Sequence, residues 1–132
     1  MTPQQRSAME QTARAFYAAA LATDWERVAA LVTDDFVIHE ASGLPFGGDH
    51  HGVAGLQTLG RQVFSHFKRF AVAPERFAVG EDSVAVWINA SGVGRQTGDT
   101  FEMPICEWLH FRDGRIASIT PFYWDGTTVN AI

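Results

Sequence analysis

A chain of 132 residues is the size of one domain, and with 46% hydrophobic and 19% charged residues it can bury a core. A formal charge of −5 with no basic run excludes an ordinary nucleic-acid-binding surface, and no apolar stretch reaches the length needed to span a bilayer. MTPQQRSAMEQ lacks the charged-then-apolar pattern of a signal peptide, and the single Cys106 allows no internal disulfide, so a cytoplasmic protein is expected.

In chain order, Pro3 to Ala22 is predicted to be helical. It is rich in alanine, and Met9, Ala13, Phe16 and Ala20 recur at helical spacing. Asp24 can cap a second helix, WERVAALV, whose Trp25, Val28, Leu31 and Val32 form an apolar stripe. A short strand, FVIHEA, follows. SGLPFGGDHHG reads as a glycine-dense loop, mobile enough to act as a flap. Val53 to Phe67 is predicted as a third helix, with Leu56, Leu59, Val63 and Phe67 on one side. The remainder reads as strands: one or two in FKRFAVAPERFAVG, a strong one in DSVAVWINASGVG, then RQTGDTFEMPICEWLHF and RIASITPFYWD, joined at Asp113-Gly114. This is an α+β order, three helices on one side of a strongly curved, mostly antiparallel sheet. A sheet so bent and closed by helices encloses a cone, a natural ligand pocket.

Strand alternation places Ile105, Glu107, Leu109 and Phe111 on one face, and Cys106, Trp108, His110 and Arg112 on the other. Glu107 thus interrupts an apolar face. It is either a desolvated acid in a pocket or the partner of a basic residue at a sheet edge. Glu40 shares its face with Phe36 and Ile38. It is either a general base for a carbon acid or a solvated group at the loop mouth. Ten Phe and four Trp call for an apolar interior, pocket or interface. Cys106, within an apolar strand pattern, reads as a buried, inert thiol. Trp87, Trp108 and their neighbours make the outer sheet face too apolar for open solvent, and a homodimer through that face is expected. Pro121 points to a bulge or edge, which leaves open whether Tyr123 or Trp124 faces the pocket. His39, His50 and His51 with Asp49 match no standard metal spacing. They read as polar surface, and no metal is expected. His66 and His110 read as surface or interface, and Arg61 as a solvated arginine.

The segments FYAAALATDWERVAALVTDDFVIHEASG, HHGVAGL and CEWLHFRDGRIASITPFYWD cover roughly Arg14 to Asp125. In this order they resemble the nuclear transport factor 2-like superfamily, and within it the SnoaL-like polyketide cyclase and ketosteroid isomerase branch. The resemblance implies the cone-shaped α+β fold of that superfamily. By position, the catalytic acid of ketosteroid isomerases falls on Glu40 and their second acid on Glu107. In those enzymes the second acid stays neutral and donates a hydrogen bond to a developing oxyanion. Their helix-borne tyrosine falls on Phe16. Tyr17 is one residue on, about 100° around the helix, and is not expected to replace it. Tyr123 offers an alternative hydroxyl. Both acids are glutamates where that family uses aspartates. These departures point away from steroid isomerisation itself. In SnoaL-like relatives an acid near the last strands acts in acid/base chemistry, which here marks Asp125. The Asp-Gly pair there equally suggests a turn cap.

The expected activity is cofactor-free acid/base chemistry, isomerisation or cyclisation, on a small hydrophobic carbonyl compound. Glu40 would be the base and Glu107 the neutral donor, with Asp125 as a further acid. Phe16, Tyr17, Ile38 and Phe64 would line the pocket, along with Leu109, Tyr123 and Trp124. Two alternatives stand beside it: a protein that binds a small hydrophobic ligand without chemistry, and a hydrolase holding water between carboxylates.

Overall fold

The computed structural model describes all 132 residues. Helix α1 (Pro3–Leu21) begins at a reciprocal cap. Thr2 Oγ1 accepts from the Gln5 amide, and the Gln5 side chain accepts from the Thr2 amide, which satisfies two of the free donors at the helix start. Asp24 caps α2 (Trp25–Leu31) by accepting from Arg27 N. The chain then runs through β1 (Val32–Glu40), β2 (Gly48–His51), α3 (Gly52–His66), β3 (Phe67–Val79), β4 (Ser83–Gly94), β5 (Thr100–Arg112), β6 (Arg115–Tyr123) and α4 (Gly126–Ala131).

The six strands form one sheet in the order β2-β1-β6-β5-β4-β3. All pairings are antiparallel except β1 with β6. β5 and β6 turn at Asp113-Gly114, both with positive φ (53° and 78°), as a two-residue hairpin turn requires. Alternation divides the sheet cleanly. Val84, Val86, Ile88 and Ala90 of β4 are buried, as are Ile105, Leu109 and Phe111 of β5. They face α1, α2 and α3 and form a core with Phe36, Phe67 and Ile116. The outer face exposes Trp87, Trp108 and Phe122. Cys106 stands between Trp87 and Phe122 across the strands. It is half-buried on this outer side, not enclosed in the core.

Three elements differ from the sequence prediction. The spacing predicts three helices, and the structure has four. GTTVNA has weak helix propensity, but Asp125 caps it and Val129 is fully buried beneath it. The glycine-dense stretch contains the edge strand β2. Leu44 and Phe46 are buried, and His50 Nε2 donates to the Phe46 carbonyl at 2.9 Å, so the segment is pinned to the core and is no free flap. Pro121 causes no bulge. β5 and β6 stay in register through it, and the irregularity lies at His110–Phe111. Pro121 also lies beyond the last β1–β6 pair, Ile38–Ile119, where its missing N–H deprives β1 of nothing. No helix is long and apolar enough to cross a membrane.

Two glycines report on packing in opposite ways. A Cβ on Gly94 would collide with the backbone of Ile132, whereas one on Gly60, within α3, would meet nothing. Gly94→Ala should lower the unfolding free energy by about 1–3 kcal/mol. Gly60→Ala should raise it by about 0.5–1 kcal/mol. Urea unfolding of the two variants checks this, and equal effects would contradict the packing described.

Candidate active site

The register of the sheet brings the two inward glutamates together. β6 lies between β1 and β5. Glu107 sits directly opposite Pro121 on β5. Ile38 sits opposite Ile119 on β1, so two residues further along both strands Glu40 comes level with Pro121. The acids therefore flank one residue from either side, with backbones roughly 10 Å apart by strand spacing, and both project toward the helices. There they help line a cavity of ≈ 850 Å³. α1 contributes Phe16 and Tyr17, α3 contributes Leu56, Leu59 and Val63, and β3 contributes Phe70.

Glu107 is held by a single hydrogen bond. Tyr17 Oη donates to its Oε1 at 2.6 Å. Loss of water on burial pushes the Glu107 carboxyl up, and the Tyr17 hydrogen bond opposes that rise. Glu40 is buried where Glu107 is half-buried, and the Glu40 Oε1 is enclosed without any partner. Burial first, and the charge of Glu107 second, raise Glu40 to about 8. Burial and the nearby Glu107 carboxyl likewise raise Tyr17. Tyr123 is raised by burial and then by both glutamates, so it sits within the field of the pair and stays a neutral phenol. Neither glutamate belongs to any of the chain's ion pairs. Arg61 is the one cationic side chain lining the cavity, and it donates to Thr58 Oγ1 at 3.1 Å.

Several candidate residues need correction. Tyr17 reaches Glu107 although it is one position past the expected helix site. Ala13, Phe16, Tyr17 and Ala20 form an i, i+3, i+4, i+7 stripe, all turned inward. Both aromatic side chains therefore face the cavity, packed edge to face at 5.4 Å. Tyr123 faces inward, since it follows Pro121 and Ile119 on the same strand face, and its ring packs on Phe46 at 5.8 Å. Trp124, at 77% exposed, points to solvent and does not line the pocket. Leu109 is wholly in the core. Ile38 and Phe64 do line the cavity, Phe64 half-exposed at its rim.

Asp125 is a helix cap. It accepts from Thr128 N at 3.0 Å and from Thr128 Oγ1 at 2.6 Å, and the bonds from Thr128 hold its carboxyl below the ordinary value. His39 pairs with Asp49 at 2.7 Å on the outside. His50 is buried rather than superficial. His66 Nε2 donates to the Val129 carbonyl at 2.6 Å and ties α3 to α4. No three His, Cys, Asp or Glu side chains gather as a metal site would require.

A curved, mostly antiparallel sheet closed by helices is the nuclear transport factor 2-like fold. The SnoaL-like domain model matches residues 13–119, and the chain belongs to that family. A search of curated proteins finds no match. Solved structures share the fold. A nuclear transport factor 2-like protein from Burkholderia xenovorans LB400 is 23% identical with a TM-score of 0.80, covering 94% of each chain. A protein described as a SnoaL-like polyketide cyclase, from Jannaschia sp. CCS1, is 16% identical with a TM-score of 0.80, covering 100% of this chain and 95% of its own. TerC, co-crystallised with polyporic acid, is 20% identical with a TM-score of 0.76, covering 88% and 91%.

The raised Glu40 has a consequence for stability. Its ordinary value is 4.5 and its folded value about 8. Between these limits the folded chain keeps a proton that the unfolded chain has released. Glu40's favourable contribution is therefore complete below the lower value and declines as pH rises to the upper one. Relative to Glu40→Gln, the wild type should lose stability from about pH 5 to about pH 8, at no more than about 1.4 kcal/mol per pH unit. Chemical unfolding at several pH values checks this, and a difference independent of pH would contradict it. Asp125→Ala should cost about 1 kcal/mol, Asp125→Asn much less, and both should leave ligand affinity unchanged. A loss of affinity in either variant would return Asp125 to the site.

Proposed function

We propose that this cavity carries out acid/base chemistry, an isomerisation or cyclisation, on a small hydrophobic carbonyl compound. One observation carries the reading: two inward carboxyl groups, neither matched by a cation, share an apolar cavity, and the charge of Glu107 adds to the burial that raises Glu40. Removing a proton from carbon next to a carbonyl needs a carboxylate with little hydration and a neutral donor for the oxygen that gains charge. Two acids forced to share one charge supply both. The apolar lining would bind the ligand by burial of its surface and exclude water from the reacting atoms. The polyporic acid found with TerC supports a small organic ligand for this scaffold.

A test that needs no knowledge of the natural substrate is deuterium uptake at the carbon beside the carbonyl of hydrophobic ketones such as 2-tetralone, followed by NMR in heavy water. The wild type should accelerate uptake, and Glu107→Gln and Glu40→Gln should each lower the acceleration by about 10²-fold or more while ketone binding persists. Ketone binding without any acceleration by the wild type would favour a binding protein instead. Variants as fast as the wild type would remove the glutamates from the chemistry.

A further inference from the structure

We infer that Tyr17 fixes the direction of proton flow, making Glu107 the proton acceptor and Glu40 the donor, the reverse of the roles implied by the resemblance to ketosteroid isomerases. This rests on the acid/base reading above and deepens it.

The two carboxyl groups are alike in type and differ in their surroundings. Glu107 receives a short hydrogen bond from Tyr17 Oη, and a donated bond is worth more to a carboxylate than to a neutral acid. Its Oε2 makes no hydrogen bond and can meet a ligand. Glu40 makes no side-chain hydrogen bond, and its Oε1 is enclosed by the protein. A carboxylate there would lack both water and a donor, which is the most unfavourable form of a buried acid. When one proton is shared between coupled acids, it therefore resides on Glu40.

Every titratable group facing the pair agrees with this order. Tyr17 from α1 and Tyr123 from β6 are both held protonated. Arg61 from α3 is bonded to Thr58 at the cavity wall and forms no ion pair with either glutamate.

The step balances. The ligand's C–H bond breaks, its proton goes to Glu107 Oε2, and the electron pair forms a carbon–carbon double bond. The carbonyl oxygen takes the proton of Glu40, giving a neutral enol. Where the ligand is a β,γ-unsaturated ketone the enol is a dienol: return of the Glu107 proton to its γ-carbon moves the double bond into conjugation, the enol proton returns to Glu40, and both acids are restored. Tyr17 touches Glu107 and not the reacting atoms, so it is a positioning residue.

The test is a carbon-13 NMR titration of the full chain with glutamate labelled at the side-chain carboxyl, resonances being assigned through bonds from the backbone. Glu107 should ionise at lower pH than Glu40. Tyr17→Phe, which keeps the ring packed against Phe16 and Phe77, should raise the Glu107 transition by about one to two pH units. Prior ionisation of Glu40 in the wild type, or a Glu107 transition unmoved by Tyr17→Phe, would overturn the inference. The readout does not depend on turnover. The expected order without ketone exchange would reject the catalytic reading alone, and exchange with the opposite order would reject this inference alone.

Discussion

The constraint on which this molecule turns is the placement of two carboxyl groups, one buried and one half-buried, in an apolar hollow without a positive partner. An isolated buried carboxylate is strongly disfavoured, and proteins ordinarily answer with a cation, a dense set of donors, or a retained proton. Here the first answer is absent, since the chain's ion pairs lie elsewhere. The second is a single bond, from Tyr17 to Glu107. The third remains for Glu40. Glu40, raised to about 8, thus keeps its proton at neutral pH as a consequence of its packing.

The fold supplies that arrangement through a few features of topology. A parallel β1–β6 pair inside an otherwise antiparallel sheet puts the end of β1 beside the end of β6. The same turn of β6 faces the middle of β5. Pro121 sits between the two acids as a side chain without charge or N–H. Helices α1 and α3 then close the hollow with aromatic and aliphatic groups. Asp125, capping α4, and His66, bonded to Val129, hold the last helix against the end of α3. They are polar residues with structural work, whose types alone would have suited chemistry equally well.

Much of this is written in the residue order. Alternation in ICEWLHF and FVIHEA is enough to turn Glu107 and Glu40 inward, because a strand has only two faces. Asp113-Gly114 announces its turn because few residues accept positive φ at successive positions. Tyr17 is harder to read. A helix lying in a curved sheet buries a stripe two residues wide, so a shift of one position leaves the side chain still inside. The signal was present in its spacing from Ala13 and Ala20. β2 and α4 escape notice for another reason: both are short, and each is held by contacts distant in sequence, β2 by its pairing with β1 and α4 by Val129 in the core, rather than by its own propensity. Pro121 misleads because the usual penalty of proline in a strand disappears beyond the last β1–β6 pair.

Infrared spectroscopy of the carboxyl carbonyl stretch in heavy water at neutral pH tests the central claim most directly, because it sees a neutral buried acid without ligand or turnover. A band from a protonated carboxyl group should be present in the wild type at pH 7 and absent from Glu40→Gln. A wild-type spectrum with only ionised carboxylates at that pH would contradict the account.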